Sequence, residues 1–105
     1  MYQLTAVYAH PADPESFVAH YRDTHAKIAA QLPGAAFYDW HVCETLDGST
    51  PPFFLAAVIG WESKDVAIAS LGSDVGQRAV ADLANFADAG CEMQFGEVTV
   101  EVPRP

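Results

Sequence analysis

The stretch Phe53-Phe54-Leu55-Ala56-Ala57-Val58-Ile59-Gly60-Trp61 carries no charge and is apolar on both alternating faces. That is the pattern of a central strand covered on each side. A turn-rich segment, Asp47-Gly48-Ser49-Thr50-Pro51-Pro52, precedes it. Before that turn, Ala35 to Glu44 is rich in strand formers and sets Phe37, Asp39, His41 and Cys43 opposite Tyr38, Trp40 and Val42.

Two further segments alternate with period two. Tyr2 to Ala9 places Tyr2, Leu4, Ala6 and Tyr8 on one face. Cys91 to Val102 changes phase at Gly96, with Cys91, Met93 and Phe95 before it and Val98, Val100 and Val102 after it. A β-bulge at Gly96 would rejoin them into one apolar face.

Helices fill the gaps. Asp13-Pro14-Glu15 reads as an N-cap, a proline at the first helical position and an acid at the positive end of the dipole. At about 100° per residue Phe17, Tyr21, His25, Ile28 and Leu32 fall within an arc of roughly 80°, and Pro33-Gly34 ends the helix. Ser63 caps a short helix through Leu71; Ser73 starts another, in which Val75, Ala79, Leu83 and Phe86 share a face and which Gly90 ends.

The order is βαββαβ, an α+β, ferredoxin-like arrangement of one domain over residues 1–105. Right-handed crossovers place both helical segments on one face of a four-stranded antiparallel sheet. With apolar residues such as Leu4, Phe53, Phe54 and Ile59 along the strands, the bare face is expected to be a large hydrophobic patch. Two sheets packed face to face, as a homodimer, would close it.

Composition narrows the function. The 105 residues carry a formal charge of −9, with fourteen acids against five scattered cations. No basic patch exists for phosphates, which argues against nucleic acid and anionic membrane surfaces. No apolar run approaches the ~18 residues of a membrane span. The N-terminus lacks the charged start of a secretory signal, and the two cysteines form no secreted-type framework, so a cytoplasmic protein is expected.

His25 is the candidate acid or base, because it interrupts the apolar stripe one turn after Tyr21, which can orient it or bond a ligand oxygen. The alternative is a core histidine satisfied by a carbonyl. His20 lies about 140° around the helix from His25, so the two do not form a metal pair, and no metal site or cofactor motif is present. Tyr8, Tyr38, Trp61 and Phe86 could line an apolar pocket, or simply pack a core, and Asn85 could offer an amide to a ligand. Asp39 and His41 share a face that points either to a cavity or to solvent.

Several motifs together resemble the EthD-like family of dimeric α/β-barrel proteins: His10-Pro11-Ala12-Asp13-Pro14-Glu15-Ser16-Phe17, His20-Tyr21 with His25 following, Leu32-Pro33-Gly34, Ser73-Asp74-Val75-Gly76-Gln77, and Asp82-Leu83-Ala84-Asn85-Phe86-Ala87-Asp88-Ala89-Gly90. The resemblance implies a subunit that dimerises through its sheet, with a cavity bordered by Phe17, Tyr21 and His25. Where relatives often have proline and leucine two and three positions after this histidine, this chain has Lys27 and Ile28. The implied functions are a cofactor-independent enzyme acting on an apolar, oxygen-bearing small molecule (aromatic, polyketide-like or lactone), a non-catalytic carrier of a hydrophobic ligand, or a haem-handling or cofactor-free oxygenase barrel.

Overall fold

The computed structural model describes residues Met1–Pro105. Four strands, β1 (Tyr2–Tyr8), β2 (Ala35–Val42), β3 (Leu55–Trp61) and β4 (Cys91–Glu97), form one sheet in the order β2-β3-β1-β4, with every neighbouring pair antiparallel. Between β1 and β2 run α1 (Pro14–His20), a π-helical turn (Tyr21–His25) and α2 (Ala26–Ala29). Between β3 and β4 lie α3 (Lys64–Leu71), α4 (Asp74–Asp82) and a 3-10 turn (Leu83–Asn85). This is the expected ferredoxin-like order. No helix is long and apolar enough to cross a membrane.

Local chemistry sets the helix starts. Asp13 Oδ1 accepts from the Ser16 amide at 3.1 Å, Ser63 Oγ from Val66 at 3.2 Å and Ser73 Oγ from Gly76 at 3.2 Å. Each satisfies one of the amides a helix leaves without a partner. Gly34, at φ +74, makes the left-handed turn into β2.

The core lies between sheet and helices. Leu4, Ala6 and Tyr8 of β1 pair with Ile59, Ala57 and Leu55 of β3, and all six are buried. From the first crossover, Phe17, Tyr21, Ala29 and Leu32 cover them. Seven aromatic contacts with centroids between 4.9 and 6.3 Å link Tyr8, Phe17, Tyr21, Trp40 and Phe86 into one cluster. Such edge and offset contacts add about 0.5–1.5 kcal/mol each beyond burial.

Four expectations need correction. The first helix is not uniform: the Ala26 amide bonds Tyr21 O across a wide turn, so Ala29, rather than Ile28, follows His25 on the buried face. The third strand begins at Leu55 rather than Phe53, and Phe54 instead packs against Phe17. There is no bulge at Gly96, which stands opposite Gln3 in unbroken register. β4 ends at Glu97 because β1 has only Met1 left to pair, whose carbonyl accepts from Val98; Val100 and Val102 are exposed.

The fourth correction concerns the bare face. Leu4 and Ile59 point toward the helices, and the opposite face carries Gln3, Thr5 and Val7 beside Ala56, Val58, Gln94 and Glu92. Phe37, Asp39 and His41 continue it on β2. It is a mixed surface with a small apolar centre, since paired residues of antiparallel strands share a face. Asp39 and His41 thus lie away from the cavity, while Tyr38 and Trp40 pack into the core. Arg104 reaches this face, 3.6 Å from Asp39 and stacked over Phe37.

Candidate functional site

His25 and Asp82 approach from elements 57 residues apart. His25 Nδ1–H donates to Asp82 Oδ2 at 2.9 Å; both side chains are about 94% buried. His20 Nε2–H reaches the same carboxylate, 3.0 Å from Oδ1 and 3.1 Å from Oδ2, and Asn85 Nδ2 donates to Oδ1 at 2.9 Å. Burial by itself would raise the Asp82 carboxyl, yet the bonds from Asn85, His25 and His20 outweigh it and hold the group below its ordinary range. An ionised carboxylate only accepts, so both imidazoles must present N–H to it.

The π turn makes this convergence possible. A straight helix would splay His20 and His25 apart, whereas one residue inserted between them brings both rings to one side, against the sequence expectation. Phe86 packs beside each, with ring centroids 5.0 Å from His20 and 4.8 Å from His25. Burial is the main cause pulling His25 below the ordinary imidazole value; the bond and charge of Asp82 oppose it, and the charge of His20 adds to it. The result favours neutral His25 with a proton on Nδ1 and an unpartnered Nε2.

An apolar cavity of about 60 Å³ lies between the sheet and the helices, and its only polar lining side chains are His25, Tyr8, Tyr21 and Tyr38. Tyr21 and Tyr38 share a hydrogen bond of 2.7 Å between their hydroxyls. The Tyr8 hydroxyl neighbours that of Tyr21 as well, so three hydroxyls, each able to donate and accept, stand together at the cavity wall. Burial pushes all three tyrosines up, so they remain protonated donors. Met93 and Val80, 43% and 58% exposed, stand at the cavity mouth.

The other expected site residues divide. Tyr8 lines the cavity with His25 and Tyr21. Phe17, Asn85 and Phe86 instead border a polar surface groove of about 310 Å³ that contains His20, and the Asn85 amide is committed to Asp82. Trp61 is fully buried with Leu4, Ala29 and Ile59 and lines neither space. Its indole N–H has no partner; its place at the end of β3 makes it core. Cys91 and Cys43 are raised by burial, which keeps them thiols.

Asp82 and His20 are the functional candidates that the sequence reading misses. Val75, Ala79, Asp82 and Phe86 fall within about 60° of arc, closer together than with Leu83, so a carboxylate on the apolar stripe was the available signal.

Fold and site define a ferredoxin-like α+β protein with a helix-covered apolar cavity and a buried histidine–carboxylate cluster. The chain belongs to the EthD family, whose domain matches residues 9–90. It is 39% identical over 103 residues to a Rhodococcus erythropolis protein described as an uncharacterized 11.0 kDa protein in the thcB-thcC intergenic region, covering 98% of this chain and 100% of that one. Among solved structures, an ethyl tert-butyl ether D (EthD) family protein from Bacillus halodurans superposes with a TM-score of 0.87 at 24% identity, over 94% of this chain and 99% of that one. A dimeric ferredoxin-like protein of unknown function from Thermobifida fusca superposes with a TM-score of 0.73 at 15% identity, over 92% of this chain and 90% of that one.

Proposed function

We propose that this EthD-family protein is a cofactor-independent enzyme that moves a proton on a small, apolar, carbonyl-bearing compound such as a lactone or polyketide-like ketone. The observation that carries the reading is the buried His25–Asp82 pair, whose imidazole borders a cavity where the only other polar side chains are three tyrosines. His25 Nε2 takes a proton from the carbon next to the carbonyl, and the C–H electrons move onto the carbonyl oxygen. A hydroxyl of the Tyr21–Tyr38 pair turns to donate to that oxygen. Asp82 stabilises the imidazolium, which returns its proton to a second position on the same molecule as the enolate electrons move back from oxygen to carbon, giving an isomer.

Size bears on the substrate. A cavity of about 60 Å³ is well below the ~150 Å³ that encloses a benzene. Only the reacting end of a substrate fits inside, with the remainder resting at Val80 and Met93.

We assign the working unit as a homodimer formed through the bare sheet face, where Val7, Ala56, Val58 and Phe37 make an apolar centre within a polar rim, the usual anatomy of an interface. Two unpaired thiols suit a reducing, cytoplasmic setting.

Incubation with a panel of enol lactones and β-keto esters, followed by mass spectrometry and NMR of the products, tests the function. His25→Gln, with its fold checked by circular dichroism, should lose at least ~100-fold in turnover. Undiminished turnover would overturn the role of His25, and compounds that bind but are recovered unchanged would make the protein a carrier.

A further inference from the structure

We propose that His20 is the solvent-facing regulator of the site: by sharing Asp82 with His25, it sets the charge that His25 holds inside the cavity. The regulation rests on the reading of His25 as the acid or base, and the electrostatic coupling rests on geometry alone.

One carboxylate is contacted by two imidazoles, at 2.9 Å from His25 and 3.0 and 3.1 Å from His20. No lysine or arginine lines the cavity or the groove. The remaining titratable groups are Tyr8, Tyr21 and Tyr38 on the cavity side and Asp13 and Asp88 along the groove. The first proton to reach the cluster therefore forms an ion pair with Asp82. A second finds that charge already compensated and meets a like charge across the carboxylate, so the two histidines bind protons anti-cooperatively.

The two rings face different media. The His20 side chain is 28% exposed in the polar groove, whereas that of His25 is 7% exposed. Solvent reaches His20 directly. A charge on His20 occupies Asp82 and disfavours an imidazolium at His25; a neutral His20 leaves Asp82 free to hold one, the state through which the proton transfer passes. External pH, or a molecule bound over His20 in the groove, thereby tunes the buried base without entering the cavity.

The test is an NMR titration of the His25 ring in the native protein and in His20→Gln, whose side-chain amide still donates to Asp82 but takes no proton. The expected result is an upward shift of the His25 midpoint in the variant. His20→Asn provides a second neutral variant should the first not fold. An unchanged His25 midpoint in a folded variant overturns the coupling, even where His25→Gln abolishes turnover. A shifted midpoint combined with full turnover in His25→Gln would instead sustain the coupling and refute the catalytic role.

Discussion

His25 Nδ1 lies 2.9 Å from Asp82 Oδ2, a buried bond that ties the π turn of the first crossover to the end of α4 in the second. The two crossovers are thereby locked together by a charge as well as by packing. Removing the charge while keeping the shape should expose both contributions. Asp82→Asn leaves donors facing an amide that cannot accept from all of them, and should lower stability by about 3 kcal/mol. Urea unfolding at neutral pH measures this; a loss within ~0.5 kcal/mol would mean the carboxylate is not structurally important.

Acid should weaken the fold in a defined window. His25 is held below its ordinary value of 6.5 by burial, so just below that pH the unfolded chain binds more protons than the folded one. The contribution of His25 is complete above about pH 6.5 and is lost as pH falls through its lower folded value. Asp82, held below 3.8, adds a further loss in more acidic solution. Urea midpoints in native protein and His25→Gln, compared between roughly pH 4 and 8, should show the upper part of this slope only in the native chain.

Gly76 permits the close approach of α4 to the end of α3. A methyl group there would lie 2.1 Å from the Leu71 carbonyl oxygen and 2.8 Å from its Cα. These are backbone atoms, which cannot swing aside. Gly76→Ala should cost roughly 3 kcal/mol through overpacking, despite the better helix propensity of alanine, and because Gly76 and Leu71 border the cavity it should also reshape the site. Thermal unfolding reads the first effect; a variant as stable as the native protein would show that the two helices can part freely.

Much of the fold was legible because its signals are local. Asp13, Ser63 and Ser73 cap their helices through amides three residues on, and the alternation of Leu4, Ala6 and Tyr8 declares the buried face without knowledge of a partner. The end of β4 was not legible. Val98, Val100 and Val102 alternate as a strand does, but where β4 stops depends on where β1 starts, at Tyr2.

The site divides in the same way. His25 and Tyr21 stand out as polar groups on an apolar stripe. The meeting of His20 with His25 depends on one wide turn, to which a count of 100° per residue is blind. Asp82 shares the arc of Val75, Ala79 and Phe86, and its two histidine partners lie more than fifty residues upstream in chain order, so only the tertiary fold gives that carboxylate its meaning.

The most direct test of a buried base is the proton inventory of its ring. Long-range ¹H–¹⁵N NMR at pH 7 should find His25 neutral, with its proton on Nδ1 and none on Nε2. A proton on Nε2, or a charged His25 ring at that pH, would contradict the account.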